Sequence, residues 1–342
     1  MKRCIVFSTL LFFLASPHAF AQPVTPTTPI VGSGASFPFQ IYSIWFLLFN
    51  RDNKGIEVRY TAKGSGGGIR DFQAHKVDFA ASDAAMSDEE IAQVKEGVQL
   101  LPMTAGEVVL AYNLDGIDEL KLSRQVYSDI FLGKIKQWND PAITHTNPDV
   151  TLPEQDITVV TRADSSGTTY VFTKHLSAIS QQFNRGPGYG KKVHWPAELK
   201  RMESKINAGV ASTIKQTPGA IGYIDFGFAQ LMHLSTASLE NKNGYFIHPG
   251  LESGQAALAE AMIPEDMIVR LTDPDGDKSY PITTYTWMVF YKHYNDPKKA
   301  EAIRRMIAFY LDFGQKLSYR FGYIPLPQNV VEKVKIASAT IR

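Results

Sequence analysis

Short apolar segments alternate with amphipathic stretches along most of the chain. Six segments have the β-branched and aromatic composition of strands, and three longer stretches have the apolar spacing of helices. This alternation predicts an α/β protein with mainly parallel sheets. The predicted strands are 56–62, 76–83, 108–114, 157–164, 220–226 and 287–293, and the predicted helices are 87–97, 124–135 and 298–317.

Two stretches carry neither pattern. Residues 22–30 are rich in Pro and Thr, which predicts a loose leader. Residues 237–280 contain clusters of Asn, Asp and Gly, which predict loops and hairpin turns. The segment DPDGD at 273–277 resembles part of a calcium loop, but the downstream Glu of such loops is missing. A solvated turn is therefore the preferred interpretation.

The first 21 residues have the pattern of a secretory signal peptide. Two basic residues precede an apolar run from Cys4 to Ala15, and the small-x-small sequence AFA follows at 19–21. The run is shorter than the roughly 20 apolar residues that a membrane-spanning helix needs. We therefore expect cleavage after Ala21, loss of the single cysteine, and a periplasmic mature protein.

Composition narrows the possible functions. The chain has 342 residues, a length typical of about two domains, with 35 basic and 34 acidic side chains. This near-neutral balance argues against broad nucleic-acid binding. The eight histidines show no metal-ligand spacing, and no G-x-S-x-G nucleophile motif is present. We therefore expect no catalytic residues, no metal and no cofactor.

Three glycine-rich turns share one design. GSGASFP at 32–38, GSGGG at 64–68 and RADSSGTT at 162–169 each place Gly with Ser or Thr where a helix is expected to begin. Helix N-termini present unpaired N–H groups and a positive dipole end, which favours anions. One such turn alone is usually a helix cap. Three turns together, with Arg162 beside the third, predict an anion site, although Arg162 could instead form a surface salt bridge with Asp164.

Asp83 ends a predicted strand, where a carboxylate would repel an anion. It suits an anion that carries a proton, because the carboxylate can accept a hydrogen bond from a P–OH group. Sulfate, which is unprotonated near neutral pH, would meet like charge. Asp83 therefore favours phosphate over sulfate or molybdate. The alternative, a cap on a helix starting at Ser87, fits the spacing poorly.

These segments resemble the family of periplasmic phosphate-binding proteins of the high-affinity phosphate ABC transporter. The resemblance runs in order through most of the mature chain, and it is weak at 186–216 and 227–279, so no role is transferred there. Ser36 stands where Thr is expected, and Gly66 where a second Ser is common. The matching segments are GSGASFP (32–38), GSGGG (64–68), VDFAASDAAMS (77–87), IFLGKIKQWNDPAI (130–143), ITVVTRADSSGTTYVFT (157–173), TPGAIGYIDF (217–226) and YPITTYTWMVFYK (280–292).

The resemblance implies a set of eight phosphate ligands. Asp164 would not contact phosphate itself but would hold Arg162 in place. Of the ligands named next, those numbered below 107 would form the first wall of the site, and those numbered above 161 would form the second wall. The implied ligands are Ser36, Phe37, Ser65, Asp83, Arg162, Ser166, Gly167 and Thr168.

The resemblance also implies a type II periplasmic binding protein fold with two α/β lobes. One lobe would hold 22–106 plus 284–342 and the other 107–283, joined by two crossover strands. Phosphate would bind between the lobes of a monomer and pass to an ABC permease and its ATPase. The alternative functions are an exported phosphate scavenger or adhesion protein without a transporter, and a phosphatase.

Overall fold

The computed structural model describes residues 27–259, 261–269 and 271–342. The signal peptide, its cleavage site and most of the expected leader lie outside these residues. The strands are β1 (Thr28–Gly34), β2 (Ile56–Ala62), β3 (Phe79–Ser82), β4 (Val98–Tyr112), β5 (Lys121–Leu122), β6 (Thr158–Arg162), β7 (Arg201–Ser204), β8 (Ala220–Asp225), β9 (Ser235–Thr236), β10 (Ser238–Glu240), β11 (Phe246–Ile247) and β12 (Thr283–Tyr291).

Helices lie between most of these strands, and a 3₁₀ helix, Gly314–Phe321, comes near the end of the chain. The α-helices are α1 (Phe39–Asp52), α2 (Ser65–Gln73), α3 (Asp88–Ala92), α4 (Arg124–Phe131), α5 (Pro141–Thr146), α6 (Gly167–Ile179), α7 (Gln181–Arg185), α8 (Ile206–Gln216), α9 (Phe226–Met232), α10 (Leu251–Ala259), α11 (Pro297–Asp312) and α12 (Gln328–Ser338).

One long strand, β4, joins two halves of a continuous sheet. The strand order is β2-β1-β3-β12-β4-β8-β6-β7, and β9 also pairs with β4. Up to Glu107, which lies opposite Thr283, β4 pairs with β12. From Val108, which lies opposite Asp225, it pairs with β8. We call the strands from β2 to β12 the first half of the sheet, and β8, β6 and β7 the second half.

The sheet is mixed, so the prediction of mainly parallel pairing was wrong. In the first half β1 runs parallel to β2 and β3, and in the second half β6 runs parallel to β7 and β8. The antiparallel pairs in this sheet involve β4 or β12. These two strands connect βαβ units without a helical crossover of their own, so the rule for parallel sheets does not apply to them.

Two predictions about irregular segments need correction. The expected leader at 22–30 contains the start of β1, which begins at Thr28. The stretch 237–280 holds the antiparallel hairpin of β10 and β11, as expected, but also helix α10. The turn at 273–277 is exposed at Asp275, Gly276 and Asp277, as expected, while Asp273 is half-buried and its carboxylate accepts two hydrogen bonds from Arg124 at 2.7 and 2.6 Å.

Helices α1 and α11 pack together through aromatic side chains in the core beside the first half of the sheet. Trp45 of α1 stacks on Tyr310 of α11, with ring centroids 5.2 Å apart. The predicted helix at 298–317 is α11 followed by the 3₁₀ helix, and it packs within the fold. In the part of the chain that the structure describes, no helix combines the length and apolar character needed to cross a membrane.

Candidate anion-binding site

All three glycine-rich turns lead from a strand into a helix, as predicted. β1 leads to α1, β2 to α2, and β6 to α6. The Ser166 side chain caps α6, because its Oγ accepts a hydrogen bond from the N–H of Thr169 at 3.0 Å. Neither α1 nor α2 has a side-chain cap. The hydroxyls of the first two turns therefore serve another purpose than capping.

The first wall of the site comes from the first half of the sheet, and its polar groups are deeply buried. Ser36 and Phe37 connect β1 to α1, and the Phe37 carbonyl accepts a hydrogen bond from Tyr323 at 2.6 Å. Ser65 begins α2, and its Oγ accepts the N–H of Asp83 at 3.2 Å. Asp83 follows β3 directly and is only 3% exposed.

The second wall is organised around the Arg162 guanidinium at the end of β6. Its Nε and Nη2 donate to the two carboxylate oxygens of Asp164 at 2.8 and 2.5 Å. Its Nη1 donates to Thr168 Oγ1 at 3.3 Å. Arg162 is 6% exposed, so the pair with Asp164 exists but is not the surface salt bridge considered above. Gly167 and Thr168 form the first turn of α6.

The two walls touch at glycines. A Cβ placed on Gly167 would overlap Ser65 Oγ and lie 2.7 Å from Oδ2 of Asp83. Gly66 donates its N–H to the Ser165 carbonyl at 3.0 Å. The structure thus brings the nine predicted residues into one cluster, with no room for a side chain where the walls meet.

Asp83 is a buried carboxylate whose hydrogen-bond partners are hydroxyl groups. Thr286 of β12 donates its hydroxyl to Oδ1 at 2.9 Å. Burial raises the pKa of Asp83 to about 7, against the lowering effects of this hydrogen bond and of the Arg162 charge. The group therefore exchanges a proton near neutral pH. Asp83 does not cap α3, since Ser87 is the N-cap and forms a capping box with Glu90.

Asp164 behaves in the opposite way. Burial disfavours its charge, but the hydrogen bonds and the charge of Arg162 outweigh burial and lower its pKa. Its Oδ1 also accepts the N–H of Ile206 at 3.0 Å. An ionised Asp164 fixes the plane of the guanidinium, whose Nη1 donates to Thr168 and Asn207.

A cavity of about 310 Å³ leads to this cluster, with Asp83 and Trp287 in its wall. Lys191 donates to the Glu90 carboxylate at 2.9 Å beside it. This ion pair links the loop after α7 to α3, and so bridges the two sides of the cavity. Of the nine clustered residues, Asp83 is the one that lines this cavity.

Sequence reasoning missed two residues of this cluster. Thr286 lies in a segment that was recognised, but no role was assigned to it. Asn207, fully buried, lies in a stretch where no role was transferred, and it contacts Arg162 and Thr168. Strand β7 was not predicted from the sequence. It pairs in parallel with β6, so that Arg162 lies opposite Ser204. Parallel strands end at the same edge, so the helix after β7 begins beside Arg162.

His175 is buried in the core, where Tyr127 contacts its Nε2 at 2.8 Å, and burial lowers its pKa to about 4. Among the described residues, no group of three or more His, Cys, Asp or Glu side chains could hold a metal ion.

Comparison with known proteins identifies the family. The model of the PBP superfamily domain matches residues 21–313. The phosphate-binding protein PstS of Pasteurella multocida is 39% identical over 332 residues, which cover 95% of this chain and 93% of that protein. This chain belongs to the PstS family. The PstS protein of Haemophilus influenzae is 38% identical over 317 residues, which cover 92% of this chain and 93% of that protein.

The fold agrees with this PstS membership. A solved structure of a high affinity periplasmic phosphate-binding protein (PfluDING), bound with phosphate at pH 8.5, superimposes with a TM-score of 0.74. It is 22% identical in sequence, and the match covers 90% of this chain and 93% of that one. The expected type II periplasmic binding protein fold is thereby confirmed.

Proposed function

We propose that this protein captures inorganic phosphate between two lobes and delivers it to an ABC permease in the inner membrane. Its PstS relatives are named phosphate-binding proteins, which supports this function. The observation that carries the proposal is Asp83, a buried acceptor in a cluster that is otherwise rich in donors. We also propose that the protein is a monomer and that the permease works with an ATPase.

The proposed ligands divide between the two walls. Ser36, Phe37, Ser65 and Asp83 contact phosphate from the first wall. Four residues contact it from the second, where Arg162 supplies the positive charge and Asp164 orients it. The second-wall ligands are Arg162, Ser166, Gly167 and Thr168.

Asp83 gives the site its selectivity. Phosphate carries a proton near neutral pH, and its P–OH can donate to the ionised carboxylate. Sulfate has no such proton, so its oxygens would face the Asp83 charge in a buried site where repulsion is strong. The site therefore suits an anion that has acceptor oxygens for Arg162 and also one O–H donor for Asp83.

The proposed lobes are 22–106 plus 284–342 and 107–283, after removal of a signal peptide at 1–21 that directs the chain to the periplasm. The change of partner along β4 between Glu107 and Val108 supports the first boundary. Phosphate that contacts both walls favours the closed arrangement, because only that arrangement provides all the contacts. A transport protein of this kind needs no catalytic group.

Calorimetric titration of residues 22–342, stripped of anion by unfolding and dialysis, tests the proposal. We expect tight binding of phosphate and no heat from sulfate. Asp83→Asn should weaken phosphate binding by about 10- to 100-fold, the equivalent of one hydrogen bond to a charged group, and should make sulfate binding detectable.

Glu107→Gln is the matched control, since Glu107 is equally buried but lies outside the cluster. It should bind phosphate and reject sulfate as the wild type does. Absence of phosphate binding by the wild type would overturn the proposed function. Unchanged selectivity in Asp83→Asn would overturn the role of Asp83.

A further inference from the structure

Asn207 lies at the start of α8, where its side chain completes the network around Arg162. Its Oδ1 accepts from Arg162 Nη1 at 3.2 Å, and its Nδ2 donates to Thr168 Oγ1 at 3.3 Å. The side chain is fully buried. A carboxamide can accept from a cation and donate to a hydroxyl at the same time, which neither a carboxylate nor a hydrocarbon can do.

The backbone of Asn207 reaches the opposite wall. Its N–H donates to Ser36 Oγ at 3.0 Å, so this hydrogen bond joins the second half of the sheet to the first. Ser36 uses a lone pair in this bond and keeps its own proton to donate. The hydroxyl is therefore oriented as a donor, which is what an anion between the walls needs.

The turn that presents Asn207 has an unusual backbone. Ile206, a β-branched residue, has φ of 54°, in the left-handed region that such residues avoid. Its N–H is held by Asp164, the same carboxylate that holds Arg162. Strained backbone persists where surrounding contacts enforce it, and it concentrates at binding sites. Here the contacts of Asp164 fix both the guanidinium and the turn before Asn207.

We infer that Asn207 is a positioning residue that holds Arg162 and Thr168 in their binding geometry and joins them to Ser36 when the walls meet. This role rests on the proposed function, because it concerns the binding of phosphate at the same site. Since its side chain is neutral, Asn207 orients the guanidinium without reducing its charge. Asp164 orients the same group but partly neutralises it.

Asn207→Ala tests the inference by calorimetric titration with phosphate. We expect the dissociation constant to rise by about 10-fold or more, in the range typical of residues that orient a ligand group. The matched control is Asn113→Ala. Asn113 donates to the carbonyls of Ile214 and Lys215, at the other end of α8, so its loss should lower the melting temperature and leave phosphate affinity within about twofold.

A double-mutant cycle separates positioning from simple packing. Arg162→Lys removes the guanidinium that Asn207 holds, so adding Asn207→Ala in that background should weaken binding by less than about threefold. A packing role would give the same loss in both backgrounds. Weak binding can be followed into the millimolar range by ³¹P NMR.

The guanidinium itself gives a second readout if the Lys variants bind too weakly. At saturating phosphate, the Arg162 N–H signals in ¹⁵N NMR should be sharp in the wild type and in Asn113→Ala, and broadened in Asn207→Ala. Unchanged signals, or wild-type affinity in Asn207→Ala, would overturn the positioning role while the proposed function stands. Failure of the wild type to bind phosphate would instead refute the proposed function.

Discussion

The two walls of the site each hold one carboxylate, and the protein treats the two in opposite ways. Asp164 accepts two hydrogen bonds from Arg162, which lower its pKa despite partial burial. Asp83 accepts a hydrogen bond from the Thr286 hydroxyl, and it forms no salt bridge with any of the described residues. Burial raises its pKa to about 7.

This difference separates affinity from selectivity. A carboxylate paired with a guanidinium stays ionised and acts as a fixed support for the positive charge. A buried carboxylate that forms no salt bridge responds to whether its neighbour carries a proton. In the proposed function, the second wall therefore attracts phosphate by charge, and the first wall distinguishes it from unprotonated anions.

The largest expected effect removes the charge of the second wall. Arg162→Met should weaken phosphate binding on the order of 1000-fold, because it deletes the cation from a buried site. Arg59→Met is the matched control. Arg59 is exposed and also pairs with an acid two positions away, Glu57 at 2.7 Å. Calorimetric titration should show wild-type affinity for the control, and equal losses in both variants would contradict the division between walls.

A smaller effect is expected when the walls are kept apart. Gly167→Ala places a methyl group against Ser65 and Asp83, which costs about 1–3 kcal/mol and weakens phosphate binding roughly 10- to 100-fold. The melting temperature without phosphate should not fall, since Ala favours the helix. Gly209→Ala in α8 is the control, because its Cβ would approach other atoms no closer than 3.6 Å. Wild-type affinity in Gly167→Ala would show that the walls need not meet.

The smallest effect concerns stability and sharpens the contrast between the carboxylates. Folding raises the Asp83 pKa from 3.8 to about 7, so the folded state holds the extra proton between these values. Stability from this group is fully present below its unfolded pKa and is lost as pH rises through about 7. Urea unfolding without phosphate should therefore show stability falling from pH 5 to 8, by on the order of 1 kcal/mol per pH unit.

Variants assign this slope to its sources. Glu107 is also buried, which raises its pKa to about 8 against hydrogen bonds from Ser253 and Gly250. Asp83→Asn and Glu107→Gln should each flatten the slope, but only Asp83→Asn should change selectivity. Asp164→Asn should leave the slope as it is, because a lowered pKa affects stability only in acid. A flatter slope in Asp164→Asn would contradict the assigned pKa directions.

The sequence predicted the parts of the fold whose patterns are regular. The segment IEVRYTA coincides with β2, and the three turns were placed at helix starts. Two strand segments that contain proline were not predicted, namely β1 and the part of β4 before residue 108. Pro29 lies in β1 before its pairing with β3 begins at Gly32, so no N–H is needed on that side. Pro102 lies in β4 beside a register shift that accommodates it.

The site was predicted only where local motifs carry it. Arg162, Ser166 and Thr168 lie in one segment, whereas Thr286 and Asn207 join the cluster through tertiary structure. β7 is a short, polar and largely exposed strand, so no apolar pattern marks it or the helix that follows. A residue whose role depends on a neighbouring strand gives no local signal in one sequence.

The path of the chain also determines when the site can form during folding. Asp83 and its partner Thr286 are 203 residues apart in sequence, and the first half of the sheet is incomplete until β12 joins β3 and β4. Contacts so distant form slowly, because a long loop must be closed first. A newly made chain therefore cannot complete this sheet until β12 has been made, when nearly its whole length is available.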